Sequence, residues 1–100
     1  MFGIFGDRSA REVRRLNKDA LEVVEYAYQC FRSETVRAIA IMTGEHLTTA
    51  RQVFEPSPVG LKRAIVEYER RHKEAGRQRD DVLFTAFTLV LIYLRAEAQG

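Results

Sequence analysis

The stretch VLFTAFTLVLIYL, residues 82–94, decides the fold. Its thirteen residues are interrupted only by Thr85 and Thr88. Phe, Thr, Val, Ile and Tyr favour strands, so a β reading competes with a helical one. Length favours the helix. The run exceeds an ordinary strand, and no convincing strand partner occurs elsewhere in the chain. The expected element is a helix from about Asp81 to Glu97, apolar on nearly every side. Only Asp81, Thr85, Thr88 and Arg95 mark a thin polar line along it. At 1.5 Å per residue the apolar run spans ~20 Å, short of the ~30 Å hydrocarbon core of a bilayer. Charges close both ends, so it reads as a buried core helix and not as a membrane span.

Working back from that helix, Arg77-Gln78-Arg79 forms a polar connector, and Gly76 is the expected end of the element before it. That element starts at Ser57-Pro58, with the serine as N-cap and the proline at the first helical position. Leu61, Ala64, Ile65, Tyr68, His72 and Ala75 step by three or four residues and form its apolar stripe. Glu55-Pro56-Ser57-Pro58 breaks the helical pattern ahead of it. At the other end of the chain, Ser9 and Glu12 have the spacing of a capping box. The spacing of Val13, Leu16, Ala20, Val24, Ala27 and Phe31 predicts a helix over about Ala10 to Arg32, with Val23 and Tyr28 widening the stripe. Its polar face carries Arg14, Arg15, Lys18, Glu22 and Glu25.

Two short helices are expected between these. One runs from Glu34 to Thr43, with Ser33 as N-cap and Gly44 closing it as a left-handed C-cap. The other runs from about His46 to Phe54. Val36, Ile39, Ala40 and Met42 supply the apolar side of the first, and Leu47, Ala50, Val53 and Phe54 that of the second. The sum is one all-α domain over residues 1–100, a bundle of four to five helices with the nearly all-apolar C-terminal helix at its centre. Residues 1–8 form an apolar N-terminal arm containing Phe2, Ile4 and Phe5.

The chain has 100 residues, 46% apolar and 30% charged, with sixteen Lys and Arg against fourteen Asp and Glu, a net charge of +2. This mix excludes a disordered, collagen-like or disulfide-rich protein and lacks the strong basicity of a general nucleic-acid coat. Cys30 is the single cysteine, so no internal disulfide forms, and a reducing, cytoplasmic setting is expected. The apolar start lacks a charged leader region, so no cleavable signal peptide is expected.

Chemistry-bearing motifs are sparse. Glu69-Arg70-Arg71-His72 has the Glu-x-x-His spacing of carboxylate-bridged di-iron bundles, but such a site takes two of these motifs and two more inward carboxylates. A surface glutamate beside a half-buried histidine is the plainer reading. Cys30 beside Phe31 reads as a packing thiol, with no histidine placed near it by spacing. No catalytic residue, metal ligand or cofactor is expected, and the protein reads as a non-enzyme.

Ile39-Ala40-Ile41-Met42-Thr43-Gly44-Glu45-His46-Leu47-Thr48-Thr49-Ala50-Arg51-Gln52-Val53-Phe54 resembles the helix-turn-helix motif of bacterial DNA-binding proteins. Ala40 falls at the small position of the helix crossing, Gly44 in the turn, and Ala50 and Val53 on the inward side of the second helix. Glu45 departs from the motif, which has an apolar residue just after the turn. The resemblance implies that Thr48, Thr49, Arg51 and Gln52 face the major groove, where Arg and Gln pair with guanine and adenine edges. Two arginine-rich clusters are candidate phosphate contacts: Arg8, Arg11, Arg14, Arg15 and Lys18; and Arg70, Arg71, His72, Lys73, Arg77 and Arg79. Interleaved acids at i,i+4 spacing make both read in the ordinary way as solvated faces.

Two functions therefore follow from the residues. The first is a small cytosolic protein-interaction module, a homodimer or a subunit of an assembly, that associates through Phe84, Phe87, Leu91 and Leu94 on the last helix. The second is a DNA-binding regulator using residues 39–54. No membrane partner is expected.

Overall fold

The computed structural model describes the backbone of residues 2–99 and the side chains of residues 11–99. It contains four helices: α1 (Phe2–Cys30), α2 (Ser33–Val53), α3 (Pro58–Arg77) and α4 (Asp81–Gln99). The all-α expectation holds, and no strand occurs among the described residues. The VLFTAFTLVLIYL run is helical throughout. α1 has 29 residues, about 43 Å by helical rise, and sets the 47 Å long dimension of the molecule.

The ends of α3 and α4 follow from local chemistry. Ser57 is extended and its Oγ accepts a hydrogen bond from Gly60 N at 3.1 Å, with Pro58 behind it, as the sequence predicts. Gly60 is packed so closely that a Cβ there would lie 2.0 Å from Glu55 O. Asp80 caps α4, its Oδ1 accepting from Leu83 N at 3.0 Å. α3 does not stop at Gly76 but runs to Arg77. The left-handed residue that terminates it is Arg79, at φ 54°, and among the described residues no glycine takes a positive φ. Asp80 N reaches back to Ala75 O at 3.0 Å, which is the six-to-one bond of a Schellman ending.

Two expected boundaries of α1 and α2 move. Helix α1 begins at Phe2, so Ser9 lies inside it and is no N-cap, and the expected N-terminal arm has a helical backbone continuous with α1. Where the side chains of Phe2, Ile4 and Phe5 lie falls outside the described residues. At α2 the N-cap is Arg32 and Ser33 is the first helical residue.

The larger correction concerns Gly44. The two short helices expected on either side of it are one continuous helix, Ser33–Val53. Val36, Ile39, Thr43 and Ala50 are buried, and His46 and Leu47 are half-buried between them. This series keeps the three-to-four spacing straight through position 44, so burial of one face outweighs the cost of about 1 kcal/mol for a mid-helix glycine. Thr43 is buried with its hydroxyl donating to Ile39 O at 2.7 Å, which satisfies it within the helix. Ala40 and Val53, expected on the inward side, are exposed.

α4 packs against each of the other three helices, whereas α1 and α2 touch only sparsely. Two apolar clusters lie along it. One joins Phe87, Val90, Leu91 and Leu94 to Ala64 and Tyr68 of α3 and Ala50 of α2. The other joins Ala86, Leu89 and Ile92 to Leu16 and Ala20 of α1 and Ile39 of α2. His72 meets Phe84 and Thr88, and Glu69 meets Arg95, so α3 and α4 run antiparallel. His46 meets Phe87 and Arg51 meets Glu97, so α2 and α4 run parallel. Burial of this kind contributes roughly 25 cal/mol per Å² of apolar surface removed from water.

Candidate interaction surfaces

Phe87, Leu91 and Leu94 are 4%, 4% and 1% exposed, so these three of the four residues expected to mediate self-association are used inside the chain. α2 and α3 together cover what a single stripe from α3 would leave open. Phe84 alone remains accessible, and it carries the His72 ring stacked on it at 4.0 Å. Gly76 stands beside the Phe84 ring, where a Cβ would come to 3.4 Å from its edge.

The four residues assigned to a DNA groove are all exposed on the second half of α2. They lie on one continuous helix and not on a second helix set off by a turn. Without a turn at Gly44, no helix-turn-helix is present over residues 39–54. The Thr48 and Thr49 hydroxyls donate to Gly44 O and Glu45 O in their own helix, each at 3.0 Å. Arg51 pairs with Glu97 of α4, while Gln52 stands one helical turn after Thr48 on the same side of α2. The second arginine cluster is largely paired. Glu67 accepts from both Arg70 and Arg71, whose guanidinium groups hold its carboxyl below the usual range. Arg77 lies 3.6 Å from Glu74, and Arg95 lies 3.7 Å from Glu69.

Each histidine has a definite role. His72 Nε2 lies 2.8 Å from Thr88 Oγ1, and burial, helped by Arg95, pushes its pKa below the ordinary value. His46 sits edge-on to Tyr68 and Phe87, with ring centroids 5.6 and 5.0 Å away. The Tyr68 hydroxyl donates to His46 O at 3.2 Å, so the single proton left for the 3.1 Å contact is that of His46 Nδ1, which donates to Tyr68 Oη. Burial lowers the pKa of His46 as well, and nearby Arg71 adds to this. Arg71 also stands 5.0 Å above the Tyr68 ring, within cation–π range. Glu69 and His72, the Glu-x-x-His pair, are thus turned to different partners. Among the described residues no three His, Cys, Asp or Glu side chains gather as metal ligands.

Recesses between the helices mark the surface, and two of them concern the residues above. The larger, about 730 Å³, lies where α2 ends and α3 begins. Phe54, Pro56, Val59, Leu61, Ile65 and Leu94 wall it, and the Arg51–Glu97 pair and Lys62 stand at its rim. The smaller, about 350 Å³, is a cleft between α1 and α2 with Val24 and Tyr28 on one wall, Val36 and Ala40 on the other, and Leu89 below. On the outer faces of α1 and α2 the sequence reading missed exposed apolar residues, and Tyr28, expected to widen the buried stripe, is among them. Leu21 is 58% exposed, Tyr28 61% and Ile41 55%. Their signal was present: Leu21 and Tyr28 are seven residues apart, two helical turns, on the side of α1 away from the buried Leu16, Ala20 and Ala27. Among the described residues no helix is long and apolar enough to cross a membrane.

The chain matches no protein-family model, no curated protein and no solved structure.

Proposed function

We propose that the protein acts by association: a small, non-enzymatic interaction module of the cytosol that pairs with itself or joins an assembly. The observation that carries this reading is the pair of large apolar side chains left open on the outer face of α1, Leu21 and Tyr28, the second of them lining the cleft against α2. Large apolar groups gathered on one surface are the usual mark of a protein contact. α4 serves as the nearly all-apolar centre of the bundle, and this leaves α1 and α2 free to present their outer faces. The lone Cys30 thiol is exposed, which suits a reducing compartment.

Sedimentation equilibrium across the micromolar range tests the reading. A mass above one chain, together with a melting temperature that rises with protein concentration, is expected for self-association. A single-chain mass at the highest concentration, with a concentration-independent melt, would overturn the homodimer. Duplex DNA binding whose affinity falls steeply with salt would favour the DNA-binding regulator in its place.

A further inference from the structure

We infer that the occupant of the outer face of α1 is the same face of a second copy, packed antiparallel about a twofold axis near Leu21. This deepens the association reading and rests on it. The face is the strip Arg14, Lys18, Leu21, Glu25 and Tyr28, whose spacings of three, four and seven residues place them within one narrow sector of the helix. All five are exposed. Leu16, Ala20 and Ala27, which α1 buries in its own chain, lie on the opposite side.

The charge order along the strip selects the partner and its direction. The first half is basic, with Arg14, Arg15 and Lys18 exposed, and the second half is acidic, with Glu22 and Glu25 exposed. Among the described residues Lys18, Glu22 and Glu25 make no ion pair within the chain. A parallel pairing would set like charges against each other. An antiparallel pairing centred on Leu21 sets Lys18 opposite position 24 of the second copy, between its Glu22 and Glu25. It also sets Arg14 opposite Tyr28, where a guanidinium can lie on the ring. Every such contact occurs twice, once on each side of the axis, which is the self-complementarity a twofold interface requires. The two Leu21 side chains meet at the axis, and Val24 and Tyr28 extend the apolar seam toward the α1–α2 cleft. Ala40 keeps the α2 wall of that cleft low.

Cys30 makes the arrangement measurable in the otherwise native chain, because it is the one cysteine and it is exposed. A nitroxide placed on it reports the distance between copies by pulsed electron resonance. Nine residues from the axis, at 1.5 Å per residue on each side, the antiparallel arrangement expects roughly 30–40 Å, and a parallel one about 20 Å. Charge reversal gives an independent readout. Lys18→Glu and Glu25→Lys should each weaken the dimer roughly threefold to tenfold at low salt, and the double variant should recover it, because its charges are again complementary. Leu21→Lys should leave a folded single chain by circular dichroism and sedimentation. A dimer with labels near 20 Å, or one indifferent to the single reversals, would overturn this interface while leaving association itself standing. A single-chain mass for the unaltered protein would overturn both.

Discussion

The imidazole Nε2 of His72 lies 2.8 Å from Thr88 Oγ1, and Thr88 spends its own hydroxyl proton on Phe84 O at 2.8 Å. The threonine oxygen is therefore the acceptor and His72 holds its proton on Nε2. The same ring stacks on Phe84 at 4.0 Å. A neutral imidazole fits this position, because a charged ring would lose hydration against Phe84 and lie near Arg95.

The consequence is a pH dependence of stability with a definite sign. Burial depresses the pKa of His72, and of His46, below the ordinary 6.5. As pH falls below 6.5 the unfolded chain takes up protons that the folded chain refuses, so the unfolded state gains. The stability contributed by both rings is present above that value and is lost as pH falls through the lowered, folded-state pKa. Urea midpoints measured from pH 8 to pH 5 should decline over the acid half of that range. The decline should be shallower in His72→Gln and shallower still in His46→Gln/His72→Gln. A midpoint flat between pH 7 and pH 5 would contradict the burial assigned to these rings.

Glycine and its opposite supply a second test. Gly44 is helical, exposed and surrounded by open space, so Gly44→Ala should raise stability by up to about 1 kcal/mol. Were residues 43–45 a left-handed turn, the same change would destabilise. Arg79 is the residue that holds a left-handed φ, so Arg79→Gly should stabilise by about 1 kcal/mol. Gly60→Ala should do the reverse of both, because its methyl would lie 2.0 Å from a backbone oxygen in the α2–α3 connection. Thermal melts of the three variants, read together, check the continuity of α2 and the ending of α3.

These glycines also show what was legible in the sequence. Apolar spacing and the Ser57-Pro58 start placed α3, and the length of its apolar run placed α4; both starts are held by caps that act within three residues. α2 was misread as two helices because its buried face is not all apolar. Thr43 and His46 occupy two steps of the stripe, the first satisfied by Ile39 O and the second by Tyr68, a residue of another helix. Single-sequence periodicity counts such positions as polar and reads a break, and Gly44 supplied a reason for one. Three of the four residues expected on the association face are covered within the chain for a related cause. The all-round hydrophobicity of residues 82–94 suggested an uncovered side, but the longer α2 covers it, and the residues left open are those off the core stripe of α1.

Tyr68 joins three helices and should show it. It is 1% exposed, its ring lies edge-on to His46 and Phe87, and its hydroxyl bonds His46 twice. Tyr68→Phe keeps the packing and strips the hydroxyl, so it should cost about 1 kcal/mol. Tyr68→Ala should cost about 3–5 kcal/mol through the cavity it leaves. Chemical denaturation separates the two values. A Phe variant as damaging as the Ala variant would mean that the hydroxyl, and not the ring, organises the site.

The approach of α1 to α4 depends on small residues. Ala20 and Ala86 belong to one buried cluster and are 3% and 0% exposed. A methyl at each point lets the two helix backbones come together and lets Leu16, Leu89 and Ile92 fill the space beside them. Enlarging either position forces the helices apart or drives a neighbour from its rotamer, so Ala86→Leu should cost about 1–3 kcal/mol despite adding apolar surface. Ala38 is exposed on α2, so Ala38→Leu should change stability by less than about 0.5 kcal/mol. Urea denaturation of the two variants at equal protein concentration makes the comparison. If Ala86→Leu proved as harmless as Ala38→Leu, the α1–α4 seam would have to be looser than its burial indicates, and α1 would then be held to the bundle chiefly by Leu16, Val23 and Phe31.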